Sequence, residues 1–326
     1  MREFTYHRPA TIADAIALLN AEPHAKLVGG GTNLLDLMKL EIETPSHLID
    51  VNHIGLNSVE PTANGSLSIG ATVRNADLAA HRVIRADYGV LARALLSGAS
   101  GQLRNRATTA GNLMQRTRCP YFYGSGRACN KRDPGSGCDA IEGLSVNHAI
   151  LGTSSSCIAT HPSDMAVALR ALDATIVVAG SQGVRRIAIS DFHKLPEDKP
   201  QAETALEKGE IISHVELPPP VTGIHIYRKV RERASYAFAT VSVALVAQVD
   251  GERVKIERLA FGGLAAKPWR IEAAERRLFD LPENVARDAA SIILEGATPT
   301  KHNHYKLELA QRALQAALID AREQKQ

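Results

Sequence analysis

The first 55 residues alternate between apolar runs with strand spacing and apolar runs with helix spacing. In "TIADAIALLN" (11–20) apolar residues recur every three or four positions, as on one face of an amphipathic helix, and Thr11 and Asp14 have the spacing of a variant capping box. "KLVGGGTNLLDLMKL" (26–40) predicts a short strand, a glycine turn and a helix, and "HLIDV" (47–51) predicts another strand. Residues 1–55 therefore form a predicted β-α-β unit.

A second predicted block covers residues 56–218. Asn64-Gly65, between "SVEPT" and "SLSIGA", is a strong signal for a β-hairpin. "VLARALLSGA" and "SDMAVALRALDA" have helical spacing, whereas "ATIVVAG" and "VRRIAI" read as strands joined by a glycine-containing turn. The proline run "LPPPVTG" (217–223) predicts the end of this block.

The third predicted block covers residues 224–326. "HIYRKV", "FATVSVALVAQV" and "RVKIERLAFGG" predict a β-meander with Asp250-Gly251 at one turn, and "RIEAAERRLF", "VARDAASIILEG" and "YKLELAQRALQAALIDAREQ" predict helices. Strands followed by helices indicate an α+β layer. The fold class predicted for the whole chain is α+β.

Composition excludes several classes of protein. The chain has 326 residues, 44% of them hydrophobic, and a formal net charge of +3, which favours neither nucleic acid nor a membrane surface as partner. No apolar run approaches the ~20 residues that span a bilayer. "MREFTYHRPA" at the N-terminus lacks the apolar core of a signal peptide. By itself this favours the cytoplasm, unless a partner carries the chain elsewhere.

The three consecutive glycines of "KLVGGGTNLL" form a candidate anion site. Gly29, Gly30 and Gly31 lie between a predicted strand and helix, where backbone N–H groups converge on an anion such as a pyrophosphate. A tight turn that needs positive φ explains the glycines equally well. A second loop, "ATTAGNL" (107–113), has small and hydroxyl residues that suit a phosphate or ribityl chain.

The chain's four cysteines are separated by nine, eight and eighteen intervening residues, with no Cys-x-x-Cys pair. This spacing disfavours a zinc ribbon. A [4Fe–4S] cluster needs four thiolates, so a cluster ranks first, zinc second and free thiols third. Around the first three cysteines stand seven basic residues that could offset the charge of such a cluster: Arg104, Arg106, Arg116, Arg118, Arg127, Lys131 and Arg132.

Five segments together carry a resemblance to a known family: "LVGGGTNLLDLM", "RNRATTAGNLM", "HPSDMAVALRALDA", "IYRKVRERASYAFATVSVA" and "GGLAAKPWR". They resemble, in order along nearly the whole chain, the FAD-binding subunit of the xanthine oxidase/carbon monoxide dehydrogenase family. The likeness is greatest to the flavin subunits of bacterial molybdenum aldehyde oxidoreductases. It implies a vanillyl-alcohol-oxidase (PCMH) type FAD domain of two subdomains (1–55 and 56–218), followed by a CO dehydrogenase flavoprotein C-terminal-like domain (224–326).

The resemblance also implies which residues bind FAD. Those expected to hold its pyrophosphate are Lys26, Leu27, Val28, Gly29, Gly30, Gly31, Thr32, Asn33 and Leu34. Thr108, Gly111 and Asn112 form the second phosphate and ribityl loop, Asp164 contacts the ribityl or adenosine side, and Ile212 and Lys229 approach the isoalloxazine ring. The ordinary alternatives are a helix cap for Asp164, a core position for Ile212 and an exposed strand lysine for Lys229. No chemistry is assigned to His161.

The cysteine segment departs from most members of the family. A subset of flavin subunits carries an inserted loop with four cysteines that holds a [4Fe–4S] cluster. By this likeness the insertion covers about 115–157, with Cys119, Cys129, Cys138 and Cys157 as ligands and Cys157 closing the site from the following strand.

The implied function is electron transfer by an FAD and [4Fe–4S] subunit of a molybdenum-dependent aldehyde oxidoreductase. The expected partners are a large subunit with the molybdenum cofactor and a small subunit with two [2Fe–2S] clusters, with no nucleic acid and no membrane insertion. Export to the periplasm with a signal-bearing partner is expected, with the cytoplasm as the alternative. Two other functions stay open, a self-sufficient flavin oxidase and a zinc-binding scaffold. The aldehyde and the electron acceptor are not predicted.

Overall fold

The structure is a computed structural model that describes residues 1–275 and 279–325. In this part of the chain the strands are β1 (Thr5–His7), β2 (Ala25–Val28), β3 (His47–Asp50), β4 (Val59–Pro61), β5 (Leu67–Gly70), β6 (Thr175–Gly180), β7 (Gly183–Ala188), β8 (Ile211–Leu217), β9 (Ile224–Val230), β10 (Val241–Asp250) and β11 (Arg253–Gly262). The helices are α1 (Ile12–Ala21), α2 (Leu34–Lys39), α3 (Asn75–Ala80), α4 (Arg82–Asp87), α5 (Gly89–Ser97), α6 (Gly101–Arg104), α7 (Thr109–Leu113), α8 (Pro120–Tyr123), α9 (Asp139–Glu142), α10 (Asp164–Ala171), α11 (Ile189–Phe192), α12 (Pro282–Ile293) and α13 (Tyr305–Lys325).

The N-terminal sheet is parallel, in the order β1-β3-β2. Helix α1 begins where the sequence predicts it, because the side-chain oxygen of Thr11 accepts a hydrogen bond from the Asp14 N–H. The carboxyl ends of β2 and β3 lie side by side, with Val28 opposite Asp50. The loops that follow these two strands therefore meet at one edge of the sheet, where ligands commonly bind.

The second sheet has five strands in the order β4-β5-β8-β6-β7, all antiparallel. The predicted hairpin is present between β4 and β5, with Gly65 at φ 80°. Strand β8 lies between β5 and β6 although it follows both in the sequence. One face of this sheet packs on α5 and α10, whose Leu91, Leu95 and Leu169 are buried in the main core.

The C-terminal sheet is the predicted meander, in the order β11-β10-β9, covered by α12 and α13. The predicted helix "RIEAAERRLF" is wrong where it is described: a single 3-10 turn spans Glu272–Ala274, and residues 276–278 lie outside the described residues. None of the described helices is both long and apolar enough to cross a membrane.

The strands of the three sheets fall in the ranges 5–50, 59–217 and 224–262. The main core nevertheless includes Ala244, Val246 and Ala260 from the third sheet, so the second and third blocks share apolar contacts. The α+β class is confirmed, and the domain boundaries at 55, 218 and 224 stay a prediction.

A fully buried lysine joins the C-terminal helix to the rest of the molecule. Lys306, near the start of α13, is 0% exposed, and its Nζ donates hydrogen bonds to the carbonyl oxygens of His148 (2.9 Å) and Gly263 (2.8 Å). Burial lowers the pKa of Lys306 from 10.5 to about 7. The pKa falls because removing the charged ammonium group from water costs free energy, which favours the neutral amine.

This burial predicts a pH-dependent stability. Between about pH 7 and 10 the unfolded chain keeps the Lys306 proton that the folded chain releases, so raising the pH stabilises the fold. Relative to the Lys306→Met variant, the wild-type free energy of unfolding should rise with pH by at most about 1.4 kcal/mol per unit. Urea unfolding of both proteins at pH 6 to 9 measures this difference. Parallel pH profiles for the two proteins would contradict it.

Candidate functional site

The glycine turn presents a row of backbone donors. It follows β2, and only Gly31 has a positive φ, of 73°. Within the described residues, the N–H groups of Gly30, Gly31, Thr32 and Asn33 make no hydrogen bond to another residue. Adjacent unpaired donors of this kind fit the oxygens of a pyrophosphate.

The second loop packs directly against this turn. Most of its own N–H groups, unlike those of the turn, donate hydrogen bonds within the protein. A Cβ added to Gly30 would lie 2.0 Å from the carbonyl oxygen of Arg106, and a Cβ on Gly29 would lie 2.8 Å from Oγ1 of Thr108. The Thr108 hydroxyl accepts from the Gly111 N–H at 3.1 Å and caps α7. The glycines at 29 and 30 are therefore required by the contact between the two loops as well as by any ligand.

Two polar residues that the sequence interpretation missed fasten the loops together. Asn52, just beyond β3, donates from Nδ2 to the carbonyl oxygen of Gly29 at 2.9 Å. The Arg74 guanidinium donates to Oδ1 of Asn52 at 2.8 Å and to the carbonyl oxygen of Arg106 at 2.6 Å. A polar residue at the carboxyl end of a parallel strand, beside a glycine turn, is the signal that could have identified Asn52.

Two cavities, each of about 740 Å³, meet at the turn. The first is lined by Ile212 and by all nine residues from Lys26 to Leu34, and the second by Asn112, Asp164 and Lys229. Six residues line both cavities: Thr32, Asn33, Gly111, Gln115, Thr160 and His161. The turn and the second loop thus stand between two chambers, as an extended dinucleotide requires.

The structure separates two residues that the sequence interpretation placed against one ring. Ile212 lines the first cavity and is 3% exposed, whereas Lys229 lines the second. The expected contacts of both residues with the isoalloxazine ring stay a prediction.

Asp164 and Lys229 form a buried ion pair in the second cavity. Nζ of Lys229 lies 2.7 Å from Oδ2 of Asp164, and their side chains are 4% and 8% exposed. Tyr227 donates its hydroxyl to the same carboxylate at 2.6 Å; burial, together with the Asp164 charge and hydrogen bond, raises the pKa of Tyr227 well above 10.0. Neither ordinary alternative applies, because Ser163 caps the helix and Lys229 is not exposed.

The remaining predicted residues have protein partners as well as cavity positions. Lys26 is half exposed and lies 3.3 Å from Glu43. Oδ1 of Asn33 accepts from the Arg116 N–H at 2.9 Å, and Oδ1 of Asn112 accepts from the Ser163 hydroxyl at 2.6 Å. These contacts fix Asn33 at the junction between the cavities and Asn112 in the wall of the second cavity.

The four cysteines come together around one small enclosed space, here named the thiol pocket. Its lining comprises Thr117, Cys119, Tyr121, Phe122, Ala128, Cys129, Lys131, Cys138, Ala140, Cys157 and Ala159. All four thiols are free, with no disulfide among them. No group of three or more His, Cys, Asp or Glu side chains in the described ranges is arranged to hold a single metal ion.

Local hydrogen bonds shape the loop that carries the middle two cysteines. Cys129 and Cys138 face each other across an antiparallel bridge. Between them, Oδ1 of Asn130 accepts from the N–H groups of Gly135 (3.1 Å) and Gly137 (2.9 Å), whose φ values of 90° and 100° favour glycine. Cys157 lies in a turn with Ser154, not in the strand that the sequence suggested.

Nitrogen atoms lie close to two of the thiol sulfurs. The Ala159 N–H donates to Sγ of Cys157 at 3.5 Å, and Nε2 of His148 lies 3.1 Å from Sγ of Cys119. Burial raises the pKa of Cys119 to about 12 and lowers that of His148 to about 4. A bound metal ion would make this thiol a thiolate, because metal ions deprotonate coordinating thiols. His148 is a third residue that the sequence interpretation missed, and nothing local in the sequence marks it.

Several basic residues of the cysteine segment pair with carboxylates or carbonyl oxygens of the protein and do not line the thiol pocket. Arg116 donates to Glu203 and Glu43, both at 2.7 Å, and Arg132 donates to the carbonyl oxygens of Tyr121 and Phe122. Of the seven basic residues named from the sequence, Lys131 lines the thiol pocket, and its Nζ lies 2.8 Å from Glu203. Burial alone would raise the pKa of Glu203, but Lys131 and Arg116 outweigh it and hold that pKa below its usual value.

His161 lies at the junction of the two cavities and packs against His193, with ring centroids 4.1 Å apart and ring planes tilted by 44°. Burial lowers the pKa of His193 to about 4 and that of His161 well below 6.5. Both rings are therefore neutral. His193 donates from Nε2 to the carbonyl oxygen of Leu113 at 2.9 Å, which fixes its ring beside the second loop.

The comparisons with known proteins agree with this geometry. Residues 2–220 match the family described as FAD binding domain in molybdopterin dehydrogenase, and residues 225–321 match the CO dehydrogenase flavoprotein C-terminal domain. The aldehyde oxidoreductase FAD-binding subunit PaoB of Escherichia coli K12 is 57% identical over 325 residues, which is 99% of this chain and 100% of that protein. The glyceraldehyde dehydrogenase medium chain of Sulfolobus acidocaldarius is 27% identical, over 91% of this chain and 89% of the relative.

Solved structures give the same result. Carbon monoxide dehydrogenase of Hydrogenophaga pseudoflava matches with a TM-score of 0.74 and 26% identity, and quinoline 2-oxidoreductase of Pseudomonas putida 86 with 0.73 and 25%, each over 98% of this chain and 97% of the other. The expected fold and family are confirmed. This chain belongs to the FAD-binding medium subunits of the xanthine oxidase/carbon monoxide dehydrogenase family, the flavoprotein components of molybdenum-containing oxidoreductases.

Proposed function

We propose that this chain is the electron-transfer subunit of a molybdenum-dependent aldehyde oxidoreductase and carries both FAD and a [4Fe–4S] cluster. The observation that carries the proposal is the position of four free thiols in one pocket beside the two flavin cavities. Aldehyde as the substrate class rests on the name of the relative that is 57% identical over essentially the whole of both chains. Oxidation of the aldehyde is assigned to a partner subunit.

The glycine turn suits the FAD pyrophosphate. Its four unpaired N–H groups, from Gly30 to Asn33, donate to the phosphate oxygens, and Asn52 and Arg74 keep the turn in place. The adenosine and flavin ends then extend into opposite cavities. We assign the isoalloxazine ring to the second cavity, where the Asp164–Lys229 pair supplies the polar groups that a ring rich in hydrogen-bonding atoms needs. Ile212 is left to contact the adenosine end.

The thiol pocket suits a cluster better than a single zinc ion. The thiolates of a [4Fe–4S] cluster bind four different irons, so they stand farther apart than ligands that share one ion. Hydrogen bonds from N–H groups to the sulfurs, such as that from Ala159 to Cys157, are a feature of protein-bound clusters. Lys131 adds one positive charge at the wall of the pocket.

Cys119 connects the two sites, because it lines both the second cavity and the thiol pocket. FAD, when bound, exchanges electrons one or two at a time and so links iron–sulfur centres to an external acceptor. The protein's part is to fix the distance between the groups and to exclude water from them. The large and small partner subunits, and export with a signal-bearing partner, belong to this proposal; cell fractionation with an antibody against the chain tests the export.

The contact between the two loops predicts the effect of one added methyl group. Gly30→Ala should raise the FAD dissociation constant at least about fivefold, because the Cβ collides with the Arg106 carbonyl and overpacking costs about 1–3 kcal/mol. FAD titration of the apoprotein measures it. Gly101→Ala is the matched control, since a Cβ there meets no atom within 4 Å. Equal FAD affinity in both variants would exclude the turn as the pyrophosphate site.

The cluster predicts metal content. Wild-type protein purified without oxygen should contain about four iron atoms and four sulfides per chain. Cys129→Ser should lose at least half of this iron while keeping FAD, because one ligand is missing and the flavin loops are intact. Ser125→Ala, at an exposed position of the same loop, is the control. Unchanged iron in Cys129→Ser would refute the ligand assignment, and zinc in place of iron would favour the scaffold.

The assignment of the ring to one cavity predicts different effects for two substitutions. Lys229→Met should lower the flavin reduction potential, because it removes a positive charge beside the group that receives electrons. Ile212→Ala should weaken FAD binding and leave the potential unchanged. Potentiometric titration followed by flavin absorbance measures both. The opposite pattern would place the ring in the first cavity.

A further inference from the structure

His148 makes a contact that neither flavin binding nor thiol ligation explains. Its Nε2 lies 3.1 Å from Sγ of Cys119, 29 residues away in the sequence. The residue is 4% exposed and lines the second cavity. Cys119 lines that cavity as well as the thiol pocket, so the imidazole stands where the two sites adjoin.

The C-terminal domain holds this imidazole in position. The His148 carbonyl oxygen accepts hydrogen bonds from Nζ of Lys306 (2.9 Å) and Nδ2 of Asn303 (3.2 Å). Its N–H donates to the carbonyl oxygen of Ser145 at 3.1 Å. Three backbone hydrogen bonds on a buried residue leave the side chain little freedom, so the contact with the sulfur is built into the fold.

The chemistry of Nε2 of His148 and Sγ of Cys119 fixes the direction of their hydrogen bond when a metal is bound. A metal-bound thiolate has no proton and can only accept. Nε2 must then carry the ring proton, and Nδ1, which has no hydrogen-bond partner among the described residues, is the bare nitrogen. An N–H donor to a cluster sulfur is a group that sets the reduction potential of the cluster.

We propose that His148 is a positioning residue that donates its Nε2–H to the Cys119 thiolate and thereby raises the reduction potential of the [4Fe–4S] cluster. The inference rests on the proposed function, because it presupposes that the thiol pocket holds a cluster. Reduction adds one electron to the cluster and so places more negative charge on its sulfurs. A donor at one sulfur stabilises the reduced form more than the oxidised form.

The expected size follows from the strength of a hydrogen bond to a charged group, about 1.5–3 kcal/mol. At a fixed poised potential, His148→Leu should lower the ratio of reduced to oxidised cluster at least tenfold. For a one-electron couple this corresponds to a potential lower by about 59 mV. His148→Gln retains a side-chain N–H donor and should recover part of the shift, which loss of packing alone would not predict.

The experiment uses the full-length chain in its purified complex, equilibrated with redox mediators and followed by the electron paramagnetic resonance signal of the reduced cluster. His225→Leu is the matched control. Like His148, His225 uses Nε2 in a contact within the protein, here a hydrogen bond to the carbonyl oxygen of Val221 at 3.0 Å, but it lines none of the cavities described above. Its reduced-to-oxidised ratio should equal that of the wild type. Iron is counted in every sample.

The outcomes separate the inference from the proposed function. The inference is supported if His148→Leu keeps its full iron content and has a tenfold lower ratio of reduced to oxidised cluster, and if His148→Gln restores part of that ratio. Full iron with a wild-type potential in both variants overturns it. Should His148→Leu lose its iron, wild-type protein labelled with ¹⁵N-histidine decides, since the hydrogen bond requires a weak magnetic coupling between that nitrogen and the reduced cluster. Wild-type protein without iron overturns the proposed cluster, and the inference with it.

Discussion

The carbonyl oxygen of Arg106 occupies the space that a side chain at residue 30 would need. This close approach of two backbones sets the geometry of the turn after β2. Asn52, just beyond β3, and Arg74, just before α3, hold the turn there. The second loop fills one side of the turn, and the N–H groups from Gly30 to Asn33 stay unpaired among the described residues. The two cavities exist on either side because these two loops touch.

Most of the buried charged side chains near the two sites form ion pairs with each other. Lys229 and Asp164 form a buried pair between the C-terminal sheet and α10, and Arg116, Lys131 and Glu203 form another group beside the thiol pocket. Breaking a buried pair is costly, because the remaining charge is left without a partner. These pairs therefore fix the relative positions of segments far apart in the sequence. They also leave few positive charges to face the thiols directly.

The C-terminal domain contributes to both sites although it contains neither the glycine turn nor a cysteine. Lys229 and Tyr227 reach Asp164 in the second cavity, while Asn303 and Lys306 hold the segment that carries His148. The energetic cost is the burial of the Lys306 amine with only carbonyl oxygens as partners. These hydrogen bonds hold the segment that carries His148 where the second cavity adjoins the thiol pocket.

Local features of the sequence determined much of this protein. The glycine turn, the Thr11 cap, the Asn64-Gly65 hairpin and the named strands and helices depend on neighbouring residues, and the structure reproduces them except for the helix predicted at "RIEAAERRLF". Only the tertiary structure decided that Ile212 and Lys229 line different cavities and that His148 contacts Cys119. Those positions depend on how distant segments pack, through backbone approach and buried charge pairs, and the periodicity of a single segment contains no information about its distant neighbours.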